Sequence, residues 1–209
     1  MENYLDFKKD TDYTRLKIPA QIIRQGGIVI FPTETVYGIG VNALDEKAVQ
    51  KLYNIKQRPL DKPISLLISD INMVNTIAKD ITDLEYKLME KFFPGPFTII
   101  LKKKEIVPDI VTANGDTVGV RVPDQEIARK LIQYANVPIA APSANISDKP
   151  SGTNLNSIIK DFEGKVDCFI DSGESKLGIS STIVKVIDGV PHILREGPIT
   201  KQEILDVLN

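Results

Sequence analysis

Short apolar runs alternate along this chain with longer segments bounded by helix-start and helix-stop residues. The runs Ile28–Phe31, Ile64–Ile68, Phe97–Lys102, Thr117–Val122 and Pro138–Ala141 predict strands. Further strands are expected around 167–171, 181–187 and 191–194. Helices are expected over about 14–25, 46–55, 82–93, 125–134 and 155–161. Gly26-Gly27 stops the first, and Asp45 is placed to cap the second. Thr82-Asp83-Leu84-Glu85 and Thr200-Lys201-Gln202-Glu203 both have the spacing of a capping box, the latter opening a closing helix. Some strands are separated by helices, while the last follow one another directly. That order predicts a twisted mixed sheet with helices on its faces rather than a purely parallel doubly wound sheet. No repeat, low-complexity tract or long linker interrupts it, so residues 1–209 are expected to form a single domain.

Composition narrows the function classes. With 209 residues, 42% of them hydrophobic, the chain can bury a sizeable core. Lys and Arg (26) nearly balance Asp and Glu (28), so an anion site has to be a local cluster rather than a global field. Cys168 is the only cysteine and His192 the only histidine, which excludes a disulfide framework or a Cys/His zinc site within one chain. His192 lies in an apolar strand-like run and reads as structural. The polar, acidic N-terminus is unlike a signal peptide, and no apolar run reaches membrane-spanning length. The expectation is a soluble, cytoplasmic protein with no membrane partner.

Candidate chemistry gathers in a few loops. Phe31-Pro32-Thr33-Glu34-Thr35-Val36-Tyr37-Gly38 follows a predicted strand, where an open sheet commonly binds its ligand, and it is rich in small hydroxyl side chains. Lys56, Arg58 and Lys62 lie within seven residues, stiffened by Pro59 and Pro63, and suit a polyphosphate clamp. Ser143 and Asn145 in Pro142-Ser143-Ala144-Asn145 would present a hydroxyl and an amide on one wall. Arg121, inside an apolar strand, calls for an acid or an anionic ligand. Arg195 ends another strand, with Glu196 beside it as an alternative partner. Gly173 to Ser180 has P-loop glycine spacing, but Ile179 stands where the lysine would be.

Taken together, these segments, with Phe93-Pro94-Gly95-Pro96, Gly178-Ile179-Ser180-Ser181-Thr182 and Leu194-Arg195-Glu196-Gly197-Pro198, resemble the YrdC family of threonylcarbamoyl-AMP synthases over nearly the whole chain. The resemblance is to the short, single-domain form. It implies an α+β, three-layer fold, a twisted mixed sheet flanked by helices with a deep polar groove. It also implies a nucleotidyltransferase that makes threonylcarbamoyl-AMP and pyrophosphate from L-threonine, bicarbonate and ATP. The product would pass to a tRNA threonylcarbamoyl transferase complex, which modifies the adenosine next to the anticodon. By position, Thr35, Arg121, Ala141 and Ser181 resemble the threonine-side residues, and Arg58, Lys62, Thr117, Ser143, Asn145, Ser151 and Arg195 the ATP side. Lys56, Arg58 and Lys62 would neutralise phosphates catalytically. Mg²⁺ would accompany ATP, with no metal ligand of the chain's own. Some longer relatives carry a histidine in the strand after Lys62-Pro63; here Ser65 is available to take a share of threonine binding. The alternative is a non-catalytic RNA-binding module, against which the net charge of -2 argues, leaving weak RNA binding as its residue.

Overall fold

Residues 28 to 31 show how the sheet is built, because their side chains alternate between two separate cores. Ile28 and Ile30 pack into one cluster, and Val29 and Phe31 into the other. The structure, a computed structural model, describes residues 3–208. In chain order its elements are β1 (Asn3–Asp6), α1 (Lys17–Arg24), β2 (Val29–Phe31), β3 (Gly38–Asn42), α2 (Glu46–Lys56), β4 (Leu66–Leu67), α3 (Val74–Ile77), α4 (Asp83–Phe92), β5 (Phe97–Lys102), β6 (Thr117–Arg121), α5 (Glu126–Ala135), β7 (Ile139–Ala140), α6 (Leu155–Phe162), β8 (Cys168–Asp171), β9 (Thr182–Ile187), β10 (Val190–Arg195) and α7 (Lys201–Leu205). The strands form one mixed sheet in the order β1-β8-β2-β3-β7-β4-β6-β5-β9-β10. β2 runs parallel to β8 but antiparallel to β3, and β5 runs parallel to β9 but antiparallel to β6.

Helices α1 and α5 cover one face through Ala20, Ile23, Ala128, Leu131 and Ile132, packed on Val29, Phe31 and Ile139. On the other face, α2, α4, α6 and α7 contribute Leu52, Leu88, Met89, Ile158, Phe162 and Ile204 against Ile30, Ile39, Ile99 and Val120. The result is the mixed sheet with helices on its faces that the order of elements predicted, in the three-layer α+β arrangement that the resemblance implied. A sheet buried on both sides needs apolar residues at successive strand positions, which explains the unbroken runs in the sequence. The caps also form as expected. Asp45 accepts hydrogen bonds from the backbone N–H groups of Lys47 and Ala48, and Thr82 and Thr200 each close a reciprocal box with Glu85 and Glu203.

Three elements were not foreseen: β1, the short helix α3, and β3. The last of these matters for function. The hydroxyl loop does not lead from a strand into a helix; it connects β2 to β3 as the turn of an antiparallel pair. Gly38 and Gly40 hid the strand, since glycine is a poor strand former. At Gly40 the reason is close packing, because a Cβ there would lie 2.6 Å from Ile139 and 2.7 Å from Phe31. Leu131→Ala, which empties the centre of the α1–α5 face, is expected to cost about 2–5 kcal/mol. Thermal unfolding should show a loss of roughly 5–15 °C.

Candidate active site

A cavity of about 210 Å³ opens at the strand ends, and most of its wall is one residue deep into an element or just beyond one. Thr33 and Thr35 follow β2, Ala141 and Ser143 follow β7, and Ser181 precedes β9. Arg121 and Arg195 are the last residues of β6 and β10, and Thr98 is the second of β5. Arg58 reaches in from the loop after α2. Thus Thr35, Arg58, Arg121, Ala141, Ser143, Ser181 and Arg195 converge, although up to 160 residues separate them in sequence.

The hydroxyls are locked by one another. Thr33 Oγ1 donates to the Val36 carbonyl at 2.6 Å, so the 2.8 Å contact with Thr35 must use the Thr35 proton. Thr35 Oγ1 is therefore left as an acceptor toward the cavity. Across the site, Ser181 Oγ sits 2.7 Å from Thr98 Oγ1 and accepts from Arg195 Nη2 at 3.1 Å. The backbone that carries Ser181 is held by Gly197: a Cβ on that glycine would lie 2.4 Å from the Thr182 nitrogen and 2.6 Å from the Ser180 carbonyl.

The cations are oriented chiefly by carbonyl oxygens. Arg195 donates from Nε and Nη2 to the Ser181 carbonyl at 3.1 and 2.8 Å, not to Glu196. Burial, and then the charge of Arg121, lower the Arg195 pKa from its ordinary value. An arginine nevertheless stays protonated. Arg58 donates to the carbonyls of Lys62 (3.0 Å) and Pro63 (2.8 Å). Arg121, 7% exposed, donates from Nε to the Gly95 carbonyl at 3.1 Å, and its Nη2 lies 2.7 Å from Glu34 Oε1. One edge of its fork is therefore engaged by the protein. Nη2 makes this ion-pair contact without a hydrogen bond of good geometry, and Nη1 makes neither a hydrogen bond nor an ion pair among the described residues.

Five residues expected in the site stand outside the cavity wall: Lys56, Lys62, Thr117, Asn145 and Ser151. Lys56 is the most buried of them. It is 1% exposed and lies beneath the site, donating to the Ser143 carbonyl at 2.6 Å and the Asn145 carbonyl at 2.5 Å. Through these bonds it holds the loop that carries Ser143 and Asn145. Asn145 shapes the same loop, accepting from Ser143 Oγ and donating to the carbonyls of Ile146 and Lys149. The Lys62 side chain is exposed and faces Asp148 at 3.5 Å, while its carbonyl accepts from Arg58. Thr117 begins the strand that Arg121 ends, about 13 Å away at the rise of a strand. Thr98 and Ser180, which do line the cavity, were not foreseen. A lone hydroxyl in the apolar run Phe97–Lys102 was the available sign for Thr98.

Among the described residues no group of three or more His, Cys, Asp or Glu is placed to hold a metal ion, and no helix is long and apolar enough to cross a membrane. Burial, with Arg58 nearby adding to it, pulls Lys56 down to about 7. The folded value thus lies below the unfolded one, so the unfolded chain binds more protons from about pH 7 up to the ordinary lysine range. Wild-type stability should rise with pH through that window, and Lys56→Met should lack this rise. Urea denaturation of both proteins at about pH 6.5 and about pH 9 measures the difference in slope.

The profile of the Sua5/YciO/YrdC family, described as "Telomere recombination", matches residues 21–197. The chain is 45% identical over 194 residues to the threonylcarbamoyl-AMP synthase of Pyrococcus abyssi, covering 93% of this chain and 57% of that protein. It is 47% identical over 182 residues to a putative threonylcarbamoyl-AMP synthase of Methanocaldococcus jannaschii, covering 87% of this chain and 85% of that one. In three dimensions it matches the crystal structure of P. abyssi Sua5 complexed with L-threonine, with a TM-score of 0.95 and 43% identity, over 98% of this chain and 60% of that one. The chain therefore spans a little over half the length of the Pyrococcus protein. With the family profile matched over most of its length, the chain belongs to the Sua5/YciO/YrdC family.

Proposed function

We propose that the chain is an L-threonylcarbamoyladenylate synthase, a nucleotidyltransferase joining L-threonine, bicarbonate and ATP into threonylcarbamoyl-AMP and pyrophosphate. The observation that carries this reading is a cavity of amino-acid size with three arginines in its wall. At about 210 Å³ it is smaller than the roughly 300–1,000 Å³ typical of sites for larger ligands. An amino acid fits within it, and a nucleotide has to lie in the open groove at its mouth. The names of the relatives support the same activity.

In this reading the threonine carboxylate meets Arg121, and an N–H or O–H of threonine donates to Thr35 Oγ1. Leu67, Ile64 and Ala141 supply the apolar part of the wall for the side-chain methyl. The amine nitrogen attacks the carbon of bicarbonate and water leaves, giving an N-carboxylate. An oxygen of that carboxylate then attacks the α-phosphorus of ATP; the C–O–P link forms as the bond to pyrophosphate breaks. Each step brings anions together, so the chain's contribution is positioning and fixed positive charge rather than a strong base. Arg58 and Arg195 supply that charge at the phosphates, and Ser143 lines the same wall. Lys56 acts indirectly, by holding the loop that carries Ser143.

Mg²⁺ would arrive with ATP, coordinated by phosphate and water oxygens as is usual for this ion. The donor set agrees with that, since no Asp or Glu is among the residues that line the cavity. The product is a mixed anhydride, and the tRNA threonylcarbamoyl transferase complex of the cytoplasm is the acceptor proposed for it.

The test is pyrophosphate release with ATP, Mg²⁺, bicarbonate and L-threonine, each omitted in turn, and mass spectrometry of the nucleotide product. Release that needs both threonine and bicarbonate, with the threonylcarbamoyl adenylate detected, is expected. Release without threonine, or none from folded protein, refutes the reading, and steeply salt-dependent RNA binding would then favour an RNA-binding module. Arg58→Ala should reduce kcat by about 10²–10³ with the thermal midpoint nearly unchanged.

A further inference from the structure

Glu34 is the one acid of the hydroxyl loop, and the reaction as written leaves it without a task. It is 5% exposed, and neither carboxylate oxygen has a hydrogen-bond partner of good geometry among the described residues. Its close polar neighbour is Arg121 Nη2, 2.7 Å from Oε1. The loop does not need this carboxylate for its shape. Thr33 already bonds the Val36 carbonyl, and the carbonyls of Glu34 and Thr35 accept from the backbone N–H groups of Leu177 and Gly178, each at 2.9 Å. A buried acid that serves no cap and no turn is retained at a cost, and here it meets a single group.

That group is gripped from two sides. The Gly95 carbonyl accepts a hydrogen bond from Nε and the Glu34 carboxylate lies in ion-pair contact with Nη2, so both neighbours lie on one edge of the guanidinium. Gly95 cannot easily withdraw, because its nitrogen donates to the Val122 carbonyl at 2.8 Å and a Cβ on it would lie 2.5 Å from the Phe92 carbonyl. We propose that Glu34 is a positioning residue which, opposite Gly95, fixes the Arg121 guanidinium by its Nε–Nη2 edge and turns Nη1 toward the carboxylate of the amino-acid substrate. The inference rests on the reading of Arg121 as the carboxylate-binding group. Because Glu34 already shares the charge of Arg121, the substrate gains a donor of fixed direction more than a full unpaired charge. A carboxylate set at the wrong distance from the amine would then be rejected by geometry.

A double-mutant cycle on threonine binding, with ATP binding measured beside it by calorimetry, tests this. Glu34→Ala is expected to raise the Kd for threonine roughly tenfold or more, as for a lost charge-assisted contact, and to leave the Kd for ATP within about twofold. Glu34→Gln keeps an oxygen for Nη2 and should recover most of the loss. Arg121→Ala should weaken threonine binding at least as much, and adding Glu34→Ala to it should change nothing further. If Glu34→Ala does not fold, Glu34→Asp takes its place, since it keeps the charge but falls one methylene short. A threonine Kd that is unchanged or lower in the Glu34 variants, or a Glu34 effect that persists without Arg121, overturns the positioning role while the reading of Arg121 stands. If Arg121→Ala itself leaves threonine binding intact, the carboxylate reading fails, and the role of Glu34 fails with it.

Discussion

A sheet covered by helices on both faces leaves its polar groups one place to gather, the ends of the strands. Side chains at successive positions of β2 point into two different apolar clusters, so a charge in mid-strand would have to be buried in one of them. The polar residues of the cavity accordingly cluster in the first or last residues of strands or in the loops beside them. The architecture therefore determines the location of the chemistry before any individual residue does. It also accounts for the apparent oddity of Arg121 in an apolar run. Arg121 is the terminal residue of its strand and alternates to the face opposite Val118 and Val120, so its guanidinium emerges at the strand end, where the cavity opens.

The same chemical device orients all four cations at the site. Lys56 is held by the carbonyls of Ser143 and Asn145, Arg58 by those of Lys62 and Pro63, Arg121 by that of Gly95, and Arg195 by that of Ser181. A carbonyl accepts a hydrogen bond without cancelling the charge, so Arg58 and Arg195 are fixed in direction while their field remains available to an anionic ligand. Lys62 shows the contrast: exposed and facing Asp148, it has its charge partly offset by a carboxylate and screened by water. Only Arg121 combines a carbonyl with a buried acid, which marks it as the cation whose direction matters most.

Much of the fold was legible in the sequence because its signals are local. Caps at Asp45, Thr82 and Thr200, the glycine pair after α1 and the doubly apolar strands each depend on residues a few positions apart, and each formed. β3 escaped because Gly40 within it is required by contacts from Phe31 and from Ile139, the latter about a hundred residues away. The site was legible as a set of residue types: hydroxyls, arginines and a Ser-Asn loop were all identified, and seven of the expected residues line one cavity. Their directions were not. Lys56 and Arg58 lie two residues apart at the end of α2, yet one ammonium turns inward under a loop and the other cation turns into the cavity. Nothing within the clamp segment distinguishes them, because the acceptors that decide the matter for Lys56 arrive from residues 143 and 145. Sequence by itself determined the residue types of the site and the order of most of the chain's elements. Only the tertiary structure decided how each charged group is oriented, since for Lys56 that choice is made by carbonyl oxygens brought in from the distant loop after β7.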